Sequence, residues 1–160
     1  MSPTTGAARA RRIRAFVMSG LALAAAACAT TGERYAEAST EPRLTGTEWR
    51  LVEFVSPKDA IGTIRPRAEE VYTIRLDPDG TLVAQLYCNR GTGSWTSPDI
   101  DKTMGSVSLN LKAVTMAACL PSPLERVSRD LANVRTFVIR DGRLHLNLMM
   151  DGGDYVWTPQ

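Results

Sequence analysis

Histidine and cysteine are scarce in this 160-residue chain, which contains one histidine and three cysteines. A structural zinc site takes four cysteine or histidine ligands at short spacings, and the sequence offers no such pattern. Asp77-x-Asp79 and Asp99-x-Asp101 lack the further oxygen ligands of a calcium loop, and Gly91-x-Gly93 is too short for a phosphate-binding loop. We therefore expect neither a metal nor a cofactor.

An excess of basic residues is also missing from most of the chain. The formal net charge is +2, but the first 27 residues contain four arginines (Arg9, Arg11, Arg12 and Arg14) and no acidic residue. The remainder has 15 basic and 17 acidic residues, a net charge of −2, and its basic residues are scattered singly. A nucleic-acid partner is not expected, because phosphate binding needs a clustered positive surface.

Residues 1–27 have the pattern of a bacterial export signal. The arginines precede thirteen almost wholly apolar residues, Ala15 to Ala27, a run too short for a stable membrane-spanning helix. The small residues before Cys28 resemble a lipobox, in which the thiol is joined to a diacylglyceryl group. We expect a lipoprotein signal peptide and a membrane anchor on Cys28. The alternatives are an ordinary cleavage site that leaves Cys28 as a free thiol, and an uncleaved anchor or buried helix.

The segment 28–43 is small, polar and charged, and it has no apolar period. This composition predicts a flexible tether between the anchor and a globular domain at 44–160. Ala29 follows Cys28, where some Gram-negative bacteria use aspartate to retain lipoproteins in the inner membrane. We therefore expect a protein of the bacterial cell envelope, with its domain in the periplasm and the outer membrane favoured over the inner one.

Short segments of alternating polarity fill most of residues 44–160. Residues 71–76 and 81–87 each place apolar side chains on one face, and the Asp77–Gly80 turn between them predicts a hairpin. Asp141-Gly142 is a two-residue hairpin signal. In all, seven or eight short antiparallel strands are expected. With one helix, they predict a β-rich α+β domain.

The helix is predicted at about 123–134. Ser122 is a suitable cap, Pro123 suits the first helical position, and Glu125 completes a capping box. Apolar residues then recur at 124, 127, 131 and 134, which is the spacing of an amphipathic helix of about three turns.

Two motifs carry a resemblance to a known family. Cys88-Asn89-Arg90-x-x-Gly93 and the later Thr115-x-x-x-Cys119 resemble the META/HslJ domain family. The resemblance covers about residues 44–158 and implies a strongly twisted antiparallel sheet or a partly open barrel. Tyr87 and Gly91 depart from the family pattern, which often has a small residue before the cysteine and an aromatic residue after the arginine.

Cys88 and Cys119 are the only cysteines of the globular part. In an exported chain, two such cysteines most simply form a disulfide. The alternative is a redox-active or nucleophilic thiol, which needs a neighbouring base. The sole histidine, His145, is predicted to face solvent on the polar side of a strand, so a thiol site has little support.

Asn89, Arg90, Gly93 and Thr115 match the family motif. One interpretation is architectural, because Asn and Gly favour tight turns and Asn89 or Thr115 can satisfy backbone groups near a disulfide. The other is a polar recognition patch anchored by Arg90, whose planar guanidinium suits carboxylates. Both interpretations stay open on the sequence.

No acid–base pair or activated nucleophile stands out, so we do not expect an enzyme. The resemblance implies a non-enzymatic envelope lipoprotein, a binding module in the envelope stress response or envelope maintenance. The alternatives are a chaperone-like or pilot-like lipoprotein that binds an envelope protein, and a carrier of a small apolar ligand. An exposed apolar patch favours a protein partner, whereas a cavity lined by Trp95 and Trp157 favours a small ligand.

Overall fold

The alternating segments form ten antiparallel strands in the computed structural model, which describes residues 41–160. The predicted signal peptide, Cys28 and most of the tether lie outside the described residues. The strands are β1 (Glu48–Val55), β2 (Thr63–Ile64), β3 (Tyr72–Leu76), β4 (Thr81–Leu86), β5 (Asn89–Thr96), β6 (Met104–Ser106), β7 (Ser108–Val114), β8 (Val134–Arg140), β9 (Arg143–Leu148) and β10 (Asp154–Pro159).

One sheet contains all ten strands and curls into a nearly closed barrel. Nine of them follow the order β6-β8-β9-β10-β1-β3-β4-β5-β7, and β2 pairs with β1 beside this path. The two ends of the path, β6 and β7, are consecutive in the chain and separated by Val107 alone. One stretch of chain therefore pairs with β8 at one edge and with β5 at the other. The predicted fold class is confirmed.

The barrel interior is filled by large side chains. Trp49, Phe54, Tyr155 and Trp157 are fully buried, and Trp95 is almost so. The Trp95 Nε1–H donates to the Asp77 carbonyl at 2.9 Å, which joins the core to the β3–β4 turn. These aromatic residues are therefore core residues, since their rings pack where a ligand cavity would have to lie.

Both predicted hairpin turns are present. In the β8–β9 turn, Asp141 and Gly142 have φ of 51° and 69°, the left-handed conformation that a two-residue hairpin requires. In the β3–β4 turn, the Gly80 amide donates to the Asp77 carbonyl at 3.0 Å. The strand count exceeds the prediction because β2 and β6, of two and three residues, are too short to show a period in the sequence.

The helix is much shorter than the predicted 123–134. The α-helix α1 contains only Val127–Asp130, and a 3₁₀ turn follows at Leu131–Asn133. The capping contact is nevertheless formed, because the Ser122 amide donates to Glu125 Oε1 at 3.1 Å. Residues 122–127 instead make tight i to i+3 bonds, such as Val127 N–H to the Leu124 carbonyl at 3.0 Å. A short helix depends on tertiary packing for its form, and packing here favours the tighter turns.

The packing of α1 depends on a buried contact that the sequence analysis missed. Tyr155 donates its hydroxyl to Asp130 Oδ2 at 2.6 Å, and Arg126 Nε donates to the same oxygen at 2.6 Å. Burial and the bond to Asp130 raise the pKa of Tyr155 well above its ordinary value. The contact fixes α1 against β10. The i, i+4 spacing of Arg126 and Asp130 was the only available signal.

His145 does not face solvent as predicted. Its side chain is only 12% exposed, and Nδ1 lies 2.7 Å from Asp154 Oδ2 on the neighbouring strand β10. The alternation of side chains along β9 correctly predicts that His145 lies on the outer face of the strand, but the Asp154 carboxylate on the neighbouring strand covers the imidazole there.

Over residues 41–160, no helix is both long enough and apolar enough to cross a bilayer.

Candidate functional site

The two predicted cysteines are bonded to each other. Cys88 lies in the tight β4–β5 turn, and Cys119 lies in the irregular segment after β7. Their Cα atoms are 5.8 Å apart across a sequence separation of 31, and the predicted disulfide is confirmed. The bond joins the end of one hairpin to the chain that leads into α1. Neither sulfur is therefore a thiol in this state.

Asn89 connects this disulfide to the segment that carries Cys119. Its Oδ1 accepts the Ala117 amide at 2.7 Å and the Thr115 hydroxyl at 3.0 Å. Its Nδ2 donates to the Ala117 carbonyl at 3.3 Å and contacts Cys119 Sγ at 3.1 Å. One amide side chain thus holds three positions of an otherwise irregular segment. Asn89 begins β5 directly after the Tyr87-Cys88 turn, and its bonds to the Ala117 amide and carbonyl are the backbone contacts near the disulfide that the architectural interpretation expected.

Thr115, the residue after the end of β7, continues the β5–β7 pairing by bonding to Arg90 of β5. The Arg90 amide donates to Thr115 Oγ1 at 2.9 Å, and the Thr115 amide donates to the Arg90 carbonyl at 2.9 Å. The Arg90 side chain is exposed and donates to Gln85 Oε1 at 3.3 Å. It is absent from the lining of the cleft described below. The structure thus brings Asn89, Thr115 and the cysteines together and leaves the Arg90 guanidinium apart.

Gly93 is required by the close approach of two strands. A Cβ at this position would lie 1.9 Å from the Asn110 carbonyl oxygen, beside the irregularity in the β5–β7 register. Gly91 is less crowded, since its Cβ would meet the Leu111 and Leu86 side chains at 3.0 Å and 3.4 Å. The motif glycine is therefore a packing requirement of the barrel wall.

Tyr87 occupies a backbone position that favours glycine. Its φ is 60°, which explains why a small or flexible residue suits the place before the first cysteine. The tyrosine ring instead packs 6.4 Å from the ring of Tyr72, centroid to centroid. This departure from the family pattern adds an aromatic wall beside the disulfide.

An open cleft of about 240 Å³ lies against these residues. We call it the disulfide cleft. Its apolar lining is Leu86, Val114 and Ala117. Its other lining residues are Tyr72, Tyr87, Asn89, Cys119, Glu125 and Ser128. Of these residues, Asn89 and Cys119 were predicted from the sequence as site residues, Glu125 was predicted only as a helix cap, and Ser128 was not predicted to have a role.

Next to the cleft, a run of mostly small and apolar residues is exposed to solvent. We call residues 113–120 the apolar ridge. Met116 is 95% exposed and Leu120 is 66% exposed. A second, shallower groove of about 440 Å³ runs between this ridge and Arg129 of α1, and it shares Asn89, Val114, Ala117 and Ser128 with the disulfide cleft. The cleft and the ridge therefore form one continuous surface.

An ion pair between the exposed Arg67 and the buried Glu70 is joined to the chain next to this surface. The Glu70 carboxylate is fully buried and accepts hydrogen bonds from Arg67, whose Nη2 also donates to the Pro121 carbonyl at 2.8 Å. Burial alone would raise the pKa of Glu70, but hydrogen bonds from Arg67 and Ser122 outweigh it and lower the pKa overall. The loop before β3 is thereby joined to the chain just after Cys119.

Chemically, the disulfide cleft is suited to binding. It offers tyrosine side chains and the Glu125 carboxylate beside an apolar surface, while the Asn89 amide is occupied by the 115–119 segment. No group of three or more His, Cys, Asp or Glu side chains that could hold a metal occurs between residues 41 and 160.

The fold and site define a small antiparallel β-barrel with a disulfide that fixes an exposed segment. The model of the META domain family matches residues 42–158, and the chain belongs to this family. The resemblance found in the sequence is confirmed. No curated protein matches the chain.

A solved structure has a similar fold. The crystal structure of a DUF4847 family protein from Bacteroides vulgatus ATCC 8482 superposes with a TM-score of 0.53 at 14% identity, over 72% of this chain and 93% of that one. At this identity the likeness concerns the fold alone.

Proposed function

We propose that the protein is a lipid-anchored binding module of the bacterial envelope that holds another envelope protein through the apolar ridge. In this proposal the anchor is on Cys28, and the domain lies in the periplasm, on the outer membrane. The setting is envelope stress or envelope maintenance, which the resemblance of the two motifs to the family implies. The partner-binding mode is the chaperone-like or pilot-like alternative of the sequence analysis, with the ridge as its surface.

The observation that carries the proposal is an exposed apolar segment held in a fixed position. Met116 exposes nearly its whole side chain, while the residues on either side of it are bonded to Asn89. Exposed apolar surface of this kind marks binding sites on soluble domains. A surface that is already ordered loses less conformational entropy when it binds.

Non-enzymatic action is part of the proposal. Cys88 and Cys119 are bonded to each other, so a thiol mechanism has no nucleophile in this state. His145 is paired with Asp154 on β9 and β10, whereas the motif residues lie on β5 and after β7.

A carrier of a small apolar ligand has weaker support. Such a carrier would use the barrel interior, where the Trp49, Trp95 and Trp157 side chains are packed. The disulfide cleft is smaller than most small-molecule sites, which have volumes of about 300–1,000 Å³.

Photo-crosslinking in living cells tests the partner. A photoreactive residue at Met116 should give a reproducible crosslinked band at one mass, and the same residue at Met150 should not, although Met150 is 89% exposed. Leu120→Asp should remove the band. Equal crosslinking at the two positions would show that exposure alone produces the product.

The anchor is tested separately. Metabolic labelling with a tagged fatty acid should mark the wild-type chain in the outer-membrane fraction, and Cys28→Ser should abolish the label. An unlabelled wild-type chain in the soluble fraction would remove the lipid anchor from the proposal and leave the ridge untouched.

A further inference from the structure

The lining of the disulfide cleft combines two aromatic rings with one charged side chain. The Tyr72 and Tyr87 rings are inclined by 32° at a centroid distance of 6.4 Å. Aromatic faces carry negative partial charge and attract cations within about 6 Å. Glu125 lines the same cleft, and the described lining includes no lysine and no arginine. The charge in the described lining is therefore negative, and it lies beside two tyrosine rings, of which Tyr87 is the more exposed.

The position of the Glu125 carboxylate is fixed by its neighbours. Its Oε1 accepts the Ser122 amide at 3.1 Å, and Ser122 Oγ accepts the Tyr72 hydroxyl at 3.1 Å. Burial raises the pKa of Tyr72, and the nearby carboxylates of Glu70 and Glu125 raise it as well. The phenol consequently stays neutral, and the negative charge beside its ring comes from carboxylates.

The two nearby arginines, Arg67 and Arg129, do not line the cleft. Arg67 donates to Glu70 and to the Pro121 carbonyl. Arg129 lines the neighbouring groove and does not line the cleft. Glu125 is thus the one charged side chain in the described lining of the cleft, and charge complementarity there favours a cation.

The cleft volume of about 240 Å³ suits one long side chain, and its apolar walls suit a methylene stem. Because the cleft and the ridge share Val114 and Ala117, one ligand can contact both. We propose that the disulfide cleft binds a lysine or arginine side chain of the partner, whose neighbouring apolar residues cover the ridge. This inference rests on the proposed function and adds the chemistry of the partner segment.

Two labelled hexapeptides test it against the full mature protein in nanodiscs. One carries a central lysine between flanking leucines, and the other carries norleucine in place of lysine. Fluorescence anisotropy should show about tenfold tighter binding of the lysine peptide. Glu125→Gln should abolish this preference, because glutamine keeps an oxygen for the Ser122 amide but has no charge. Glu48→Gln, the same charge change at an exposed residue of β1 outside the cleft lining, should retain it.

The outcomes separate the two proposals. If both peptides bind equally well and both lose affinity in Met116→Asp, the ridge still binds a partner but the cation site is wrong. A lysine preference that survives Glu125→Gln also overturns the inference. Butylamine serves as the free-amine probe. If it binds as tightly as the lysine peptide and depends equally on Glu125, the occupant is a small amine and not a partner side chain.

Discussion

Two regions of the barrel each expose a methionine, and they hold it in different ways. Met116 belongs to the ridge, which is fixed by the Cys88–Cys119 disulfide and by Asn89, both distant in sequence. Met150 belongs to the β9–β10 turn, which is held by backbone hydrogen bonds: the Leu148 amide donates to the Gly153 carbonyl and the Met149 amide donates to the Asn133 carbonyl, each at 2.9 Å. An exposed apolar residue in a hairpin turn needs no special explanation. An exposed methionine in an irregular segment that a disulfide and the Asn89 side chain both hold is the observation that supports the proposed binding surface.

The disulfide gives the largest expected difference between the two regions. Replacing Cys88 and Cys119 by serine should lower the free energy of unfolding by about 3–4 kcal/mol, because the closed loop restricts the unfolded chain. Urea unfolding followed by circular dichroism measures this loss. Hydrogen exchange should speed up at 113–120 in the native state and stay unchanged at 149–153. Equal acceleration of both regions would mean that the bond stabilises the barrel as a whole and does not fix the ridge in particular.

Two glycines outside these regions, Gly93 in β5 and Gly142 in the β8–β9 turn, should also respond differently to substitution. In Gly93→Ala the new Cβ would lie 1.9 Å from the Asn110 carbonyl oxygen, so the β5 and β7 backbones must separate. We expect a loss of about 2–3 kcal/mol in unfolding free energy. In Gly142→Ala, in the β8–β9 turn, the new Cβ meets no atom within 4 Å, so the expected cost is only the backbone strain of an alanine with a φ of 69°. The expected loss is about 1 kcal/mol. Equal losses in urea titrations would show that β7 adjusts freely.

Asn89 on β5 and Asn147 on β9 allow the same substitution to be compared at two strand positions. Asn89→Ala removes the acceptor of the Thr115 hydroxyl and the Ala117 amide, so we expect a loss of about 2 kcal/mol. Asn147 accepts a single long bond from Thr136 at 3.4 Å, and Asn147→Ala should cost less than about 0.5 kcal/mol. Met116 crosslinking should fall in the first variant and persist in the second. A stable Asn89→Ala protein with normal crosslinking would show that the disulfide alone fixes the ridge.

The sequence predicted the parts of this molecule that depend on local pattern. The hairpin at Asp141-Gly142 needs positive φ at both turn residues. The Asp-Gly dipeptide predicts this turn because both residue types adopt positive φ readily. The disulfide was predicted from the expected export of the chain and from the presence of only two cysteines in the globular part. The capping contact of Glu125 with Ser122 was also readable from their spacing.

What the sequence did not show depends on chain segments meeting in space. Alternation alone placed His145 on an outer face but could not show that Asp154 covers it. The length of α1 is set by packing, such as the Asp130 contact with Tyr155, and not by the apolar period. The cleft forms because β3, the β4–β5 turn and α1 meet in space. The position of Glu125 in its lining could therefore not be predicted from the sequence.

The smallest expected effect is a loss of stability in acid. It arises from protonation of Glu70, which lies on the same side of the barrel as the ridge. This carboxylate has a lowered pKa in the folded state, relative to an ordinary value of 4.5. A lowered folded pKa gives a stabilisation that is complete above the unfolded value and is lost as the pH falls through the folded one. Wild-type stability should therefore decline in mild acid as Glu70 takes up a proton.

Glu70→Gln isolates this contribution. The variant is less stable at neutral pH, because glutamine cannot accept the Arg67 hydrogen bonds as a charged group does. It should however lose less stability than the wild type between about pH 5 and about pH 3. Urea midpoints at several pH values measure the two slopes. Arg67 joins Glu70 to the Pro121 carbonyl, so acid should loosen the ridge before the β9–β10 turn, as judged by exchange rates corrected for intrinsic pH dependence. Parallel slopes would show that Glu70 takes up its proton with no consequence for the fold, and that the disulfide and Asn89 hold the ridge without it.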